Sequence, residues 1–331
     1  MYIGARIGLE HGWAHVYSLS LQHQLFSQLR PQAPFNDGER FLSPLPAAWL
    51  ITPLTVIGPQ AAFFVWLSIS VAAVAAAWWL GAPGAGWTRG LWLLGAVAWY
   101  PVLYSLSLGQ PVMLVLLAVI ACWRLAEAGK PYLAGAALGL AVLKPQVVLA
   151  LPLVLLVAGH WRITAGWALT TGVLAIATVL MIGTQGVSDY RSLLAEAQGV
   201  VNNRYYTWAY VVGPGPAGYV IELVVIVIGL AAAYLNRRAT LARLITLGVL
   251  TSMMSATYWH LQDFAILVAA AWLFMRDDPR PWQQAWLVVV AVAAELAWPL
   301  GPFPALIAVA VWFVMVAVPR GGPDRTQLTA A

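Results

Sequence analysis

The sequence predicts an all-α polytopic membrane protein, and three observations lead there. Of the 331 residues 62% are hydrophobic and only 9% are charged, with a mean hydropathy of +0.80. Soluble domains carry roughly a quarter charged residues, so this chain lacks the polar surface a soluble fold of its size needs. In the bilayer core the backbone must pair internally, which leaves helices or closed barrels. Barrel strands alternate apolar and polar residues, whereas residues 220–235 and 303–318 are apolar on every face. The third observation is the 18 tryptophans. Many stand near the ends of apolar runs (Trp87, Trp161, Trp208, Trp259, Trp282, Trp298), where interfacial anchors gather.

Gly, Pro and Arg punctuate the apolar runs. Residues 1–45 are mixed and polar and are expected to form an extracytoplasmic segment. Full or partial spans are predicted at 46–80 (broken near Pro53 and Gly58-Pro59), 90–107, 111–123, 131–143, 146–158, 163–182, 215–235, 241–258, 263–275, 282–298 and 303–318. This divides the chain into an N-terminal transmembrane bundle at 46–182, a polar extracytoplasmic loop at 183–214, a C-terminal bundle at 215–318 and a cytoplasmic tail at 319–331. Several pieces fall short of the roughly 20 residues a full crossing needs. Those between 111 and 158 read as half-helices or tilted segments lining a cavity. No internal repeat is visible.

Lys/Arg bias sets the orientation. With the loop after Leu80 cytoplasmic, Arg89, Arg124, Lys130, Arg162, Arg237, Arg238, Arg243, Arg276, Arg280, Arg320 and Arg325 fall inside. Arg6, Arg30, Arg40, Lys144, Arg191 and Arg204 fall outside. Both large polar segments are then extracytoplasmic. A polar N-terminal segment needs a device to cross the membrane, so a helix upstream of Met1 is expected. The net charge of +5 does not imply nucleic-acid binding, because no basic run with interleaved aromatics occurs. The single cysteine, Cys122, sits in an apolar run and reads as filler.

Ionisable groups concentrate on the outer side, where four constellations carry possible chemistry. Gln110, in Ser107-Leu-Gly-Gln-Pro111, could bind a sugar hydroxyl or phosphate; the alternative is a plain turn. Lys144, between two apolar runs, is costly unless paired or hydrated. A phosphate would satisfy it; the alternative is snorkelling to the interface. His260 and Asp263, in Tyr258-Trp-His-Leu-Gln-Asp263, are three apart and would share a helix face; they could hold a sugar or orient one another, or form only a polar belt anchored by Trp259. The stretch Tyr2, Arg6, Glu10, His11 and Tyr17 reads as a helix along the outer face, or a solvated surface. Glu222 and Glu295 lie inside spans, so each is a functional candidate by default or a partner in a helix–helix hydrogen bond. No nucleotide, dinucleotide, zinc-protease or serine-hydrolase motif occurs. No cofactor and no metal is called for.

Taken in order, several short motifs resemble glycosyltransferase family 87. They are Tyr2-Ile-Gly-Ala-Arg6 with Val16-Tyr17, Leu42-Ser-Pro44-Leu45, Pro53-Leu54, Gly109-Gln110 before a leucine-rich span, Gly135–Gly139 leading to Leu143-Lys144-Pro145, and a span end with His260 and Asp263. The resemblance runs over about 1–275. It implies a GT-C-like bundle and an inverting membrane hexosyltransferase of the plasma membrane, its active face extracytoplasmic. The donor it implies is a polyprenyl-phosphate sugar, mannose in many members, and the acceptor a glycan or glycolipid. Arg6 and Lys144 would be phosphate partners, and Gln110, His260 and Asp263 sugar-site groups. The family's catalytic Asp falls a few residues before the position of Tyr2, upstream of Met1. Glu10 is the nearest acid but does not occupy that position. The alternatives are a transporter or lipid flippase, which would favour an inverted repeat and midplane polar groups, or a truncated, inactive relic.

Overall fold

The apolar stretches named above are largely helical in the computed structural model, which describes residues 1–213 and 215–319; the one expected at 241–258 ends its helix at Met254. The expected tail at 319–331 lies outside the described residues but for Pro319. The α-helices in chain order are α1 (Tyr2–His11), α2 (Leu19–Leu29), α3 (Leu45–Ile51), α4 (Pro59–Gly81), α5 (Gly86–Ala98), α6 (Tyr100–Ser107), α7 (Val112–Glu127), α8 (Pro131–Gly139), α9 (Leu151–Val157), α10 (Trp161–Gly199), α11 (Trp208–Val212), α12 (Pro216–Leu235), α13 (Leu241–Met254), α14 (Leu267–Arg276), α15 (Pro281–Leu300) and α16 (Phe303–Ala317). No strand occurs among the described residues. Pro59, Pro131, Pro216 and Pro281 each open a helix, where the missing N–H costs nothing and the fixed φ is already helical.

Helices α4, α10, α12 and α15 are long and apolar enough to cross a membrane, and α5 with α6, bent by 56°, is a broken fifth span or a re-entrant loop. The bend has identifiable causes. Pro101 lies in the first turn of α6, and the Glu295 carboxylate accepts the Tyr100 N–H at 3.2 Å. The Trp99 indole donates to Ala291 O at 3.1 Å. Glu295 is thus a cap for α6, which settles one of the two intramembrane acids. Glu222 is buried within α12.

Side-chain contacts sort the connections into two ends. At one end Arg276 donates to Gly81 O at 2.7 Å and Ala82 O at 2.9 Å. Arg243 pairs with Asp277 at 3.2 Å and donates to Val318 O at 2.7 Å, and Asn236 donates to Ala317 O at 2.8 Å. The connections after α4, α12, α14 and α16 therefore meet there, along with most of the arginines expected inside. The connections after α6 and α13, and the break before α9, meet at the opposite end. Helix α7 has 16 residues, about 24 Å at 1.5 Å per residue, against a hydrocarbon core of about 30 Å. By length alone α7 falls short of a full crossing, and in that sense the opposite end is recessed.

One segment departs from expectation. Residues 183–214 were expected as a loop, but α10 continues through them to Gly199 across a break at Gly183 (φ 62, ψ −169), a backbone only glycine adopts without strain. Polar composition concealed an amphipathic helix. Gly186, Leu193 and Ala197 are buried, at the i, i+7, i+11 spacing of one helical stripe, and the Tyr190 ring packs at a tilt on Tyr17 with centroids 4.4 Å apart. The N-terminal segment forms the other half of this contact. Gln22 accepts the Phe41 N–H at 2.8 Å and donates to Val16 O at 3.2 Å, Tyr17 donates to Ser43 O at 3.1 Å, and Arg40 pairs with Glu196 at 3.1 Å. The two polar segments are thus packed on one another at the same end of the bundle.

The tryptophans divide. Trp87 is 82% exposed and Trp298 61%, as anchors would be, but Trp259 is 0% exposed and belongs to the core. Cys122 is buried and free.

Candidate functional site

Three connections converge at the recessed end, and local sequence shapes each. Gln110 follows α6 in a turn closed by its N–H on Ser105 O at 3.0 Å and pinned by the Trp66 indole on Gly109 O at 2.8 Å. Lys144 sits at φ −153, ψ 73 between the 3₁₀ turns Leu140–Leu143 and Pro145–Val148. Pro145 excludes the helical region for the residue before it, so the chain turns at the lysine. Asp263 lies in the 3₁₀ turn Leu261–Ile266, its Oδ2 accepting the His260 N–H at 3.1 Å.

These side chains meet. Lys144 Nζ forms an ion pair with Asp263 Oδ1, the two side chains being 9% and 0% exposed, and donates to Gln110 Oε1 at 2.8 Å. Lys144 was expected to need a partner or water, with a phosphate as the candidate partner and snorkelling as the alternative. Here Asp263 neutralises it, so the charge is stable without ligand. An ammonium has three N–H donors; two are engaged and one is left for an incoming oxygen.

His260 and Asp263 do not orient one another through their side chains, as a shared helix face would have it. His260 precedes the 3₁₀ turn rather than lying within it, so its backbone meets the carboxylate and its ring turns elsewhere. His260 Nε2 lies 3.0 Å from Asn203 Oδ1. Asn203 Nδ2 donates to Ala197 O at 2.7 Å, which fixes the amide with its oxygen toward the ring. The imidazole is therefore the donor through Nε2, and Nδ1 is left as an acceptor. The Tyr258 ring packs edge-on at 4.7 Å. Asn203 is the member that sequence reasoning missed. It lies in a polar stretch with no motif, and only the folding-back of α10 brings it to His260, where its carbonyl also accepts the Trp259 N–H at 3.0 Å.

Arg6 and Glu10 are not in this cluster. They pair with each other one turn apart on α1, at 32% and 38% exposure. Tyr2 donates to Thr55 O at 3.3 Å, which anchors α1 on the turn after α3. His11 ends α1 and Tyr17 lies beyond it.

Burial lowers the pKa of His260; the Asp263 charge opposes this and the Lys144 charge adds to it. The folded chain therefore holds a neutral imidazole below the pH at which the unfolded chain takes up its proton, about 6.5. Stability conferred by this site is complete above that pH and falls as pH drops through it. Thermal unfolding in detergent between pH 7.5 and 5.5 is expected to show a larger loss for the wild type than for His260→Gln. Equal losses would mean that the ring is not held neutral.

A family model described as glycosyltransferase family 87 matches residues 41–257, about two thirds of the chain. The match takes in Gln110, Lys144 and Asn203. It is narrower than the stretch over which the motifs run, starting beyond Arg6 and Glu10 and ending before His260 and Asp263. No curated protein and no solved structure matches the chain.

Proposed function

The chain belongs to glycosyltransferase family 87, and from that premise we propose that it is a membrane hexosyltransferase. In this reading it moves a hexose, mannose first among the choices, from a polyprenyl-phosphate sugar to a glycan or glycolipid acceptor on the extracytoplasmic face of the plasma membrane, with inversion. Support for that face comes from the Lys/Arg bias, which puts the arginine-rich end inside.

The observation that carries the reading is the convergence of Gln110, Lys144 and Asp263 at the recessed end of an apolar bundle. A lipid-linked donor needs this layout, with its chain in hydrocarbon and its phosphate at a sheltered cation. The acceptor hydroxyl gives its proton to a base and attacks the anomeric carbon. The bond from that carbon to the phosphate oxygen breaks, and polyprenyl phosphate leaves. Lys144 offers its remaining N–H to the leaving phosphate, where charge develops. Gln110 and His260 offer polar groups to the sugar. Asp263 positions Lys144 and is poorly suited to act as base, because it is fully buried and already neutralised. Glu10 would have to leave Arg6 to serve. No described carboxylate is therefore assigned as the base, and Arg6, paired with Glu10, is at most an outer contact for phosphate.

The test is donor binding and transfer by the purified protein with a radiolabelled polyprenyl-phosphate hexose. The wild type is expected to bind the donor saturably. Lys144→Met with Asp263→Leu, which removes both charges together, should fold and lose that binding. Donor affinity unchanged in the double variant would sink the role of Lys144, and no saturable binding by the wild type would sink the donor class.

A further inference from the structure

A cavity of about 410 Å³ lies between the N-terminal segment and the distal half of α10. Its volume is within the range of small-molecule sites. Ser18 and Ser20 stand on one wall, and Gln185, Asp189, Ser192 and Glu196 on the other. On α10 these four fall at i, i+4, i+7 and i+11, one polar stripe about 16 Å long at 1.5 Å per residue. Tyr17, itself a lining residue, packs on Tyr190 across the two walls, and the Gln22 bonds to Phe41 and Val16 fix the N-terminal wall.

We propose that this cleft binds a neutral oligosaccharide chain laid along α10, and that it is the acceptor site. The word acceptor rests on the transferase reading; the saccharide specificity does not. Among the described residues the basic groups at the cleft are His15 and Arg40, which pairs with Glu196; against them stand two carboxylates, so the lining has no net positive charge with which to hold a phosphate or another anion. The carboxylates are seven residues apart, about 10 Å along the axis, too far to chelate one cation at the 2.0–2.6 Å that carboxylate oxygens require. What remains complementary is a string of hydroxyls. Carboxylates accept from them, serines both donate and accept, and a chain of sugars presents such groups at successive turns. Asp189 already accepts from Gln185 at 2.8 Å, which holds it in place along the stripe. The stripe has a direction as well. Beyond Glu196 the helix ends at Gly199, and the next turn carries Asn203 to His260. A saccharide lying along α10 would thus point one terminus at the cluster around Lys144.

The experiment is saturation-transfer NMR on the purified full chain, with a panel of neutral manno-, gluco- and galacto-configured tri- and tetrasaccharides, an anionic uronic-acid trisaccharide, and calcium alone. At least one neutral oligosaccharide is expected to bind saturably. Ser192 is exposed and Asp189 is half-buried, so Asp189→Asn with Ser192→Ala should fold normally and bind about tenfold or more weakly, the loss expected for charged hydrogen bonds. The proposal is overturned if no neutral oligosaccharide binds, if the anionic one binds best, if calcium is the ligand, or if the Asp189/Ser192 variant binds as the wild type does. The two readings fail separately. Donor binding without saccharide binding removes the cleft alone. Saccharide binding that depends on Asp189, in a chain that takes no lipid-phosphate sugar, leaves a saccharide site and removes the transferase reading.

Discussion

Lys144→Met is expected to destabilise the protein by about 3–5 kcal/mol, the effect of stripping one partner from a buried ion pair. The magnitude follows from burial. Asp263 is 0% exposed and its partner side chain 9%, so a carboxylate left behind has no water to turn to and must either take a proton or carry an uncompensated charge. Asp263→Leu strands the ammonium in the same way, although Gln110 still accepts one of its protons. Replacing both is a different case. Apolar side chains in place of a buried pair are often neutral or stabilising by about 1–4 kcal/mol, so the double variant should recover most of the unfolding temperature while remaining inactive. That pattern separates folding from chemistry: stability falls in the singles and returns in the double, while transfer is lost in all three. Thermal unfolding in detergent, monitored by tryptophan fluorescence, reads the first quantity and donor transfer the second. A Lys144→Met protein as stable as the wild type would mean that the pair is solvated after all. Restored transfer in the double variant would make it purely structural.

The sequence already contained much of this arrangement, for reasons that particular residues make plain. Gln110, Lys144 and Asp263 drew attention because each is a polar group beside an apolar run, where burial is costly without a partner. That cost argument identifies residues in need of partners without naming the partners. Lys144 was assigned a phosphate because its carboxylate lies in a connection far along the chain, and neither period nor spacing encodes a pairing of such range. Asn203 escaped for the same reason, since its use depends on α10 folding back over the N-terminal segment. The continuation of α10 past Gly183 was hidden by composition: a helix that packs on one narrow stripe of Gly186, Leu193 and Ala197 has a polar average, and polar averages read as loops. Helix starts were legible because Pro59, Pro131, Pro216 and Pro281 act locally. The failure at Trp259 is instructive in the other direction. A tryptophan at a span end is an interfacial anchor only when that end meets lipid, and here the end is roofed by the turn that carries Asn203.

Gly135→Ala is expected to disrupt the same site from a distance, by pushing two helices apart. A Cβ built on Gly135 would lie 1.9 Å from Ile163 O, and one on Gly166 would lie 2.2 Å from Tyr132 O. Both obstacles are backbone, so no rotamer change relieves them, and α8 and α10 would have to separate. Within a membrane such close approach of small residues is the main source of helix–helix packing energy, because lipid offers no hydrophobic drive to association. Overpacking of a rigid contact typically costs about 1–3 kcal/mol, and a clash of backbone on both sides belongs at the top of that range. Gly139 differs, since a Cβ there meets only the Thr170 side chain, at 2.6 Å from its methyl carbon. Gly139→Ala should therefore be rescued by Thr170→Gly, which removes both the methyl carbon at 2.6 Å and the Cβ at 2.7 Å, whereas Gly135→Ala has no such partner. Gly172, on α10, has nothing within 4 Å of the place an added methyl would take, so Gly172→Ala should be neutral or slightly stabilising through helix propensity. The functional consequence follows from connectivity. Helix α8 runs through the turn Leu140–Leu143 directly into Lys144, so separation of α8 from α10 moves the ammonium relative to Asp263 and Gln110. Unfolding temperature and donor affinity are thus expected to fall together in Gly135→Ala and Gly166→Ala, and to hold in Gly172→Ala. A Gly135→Ala protein with wild-type stability would mean that α8 and α10 do not meet backbone to backbone. One with reduced stability but full donor affinity would uncouple that contact from the placement of Lys144.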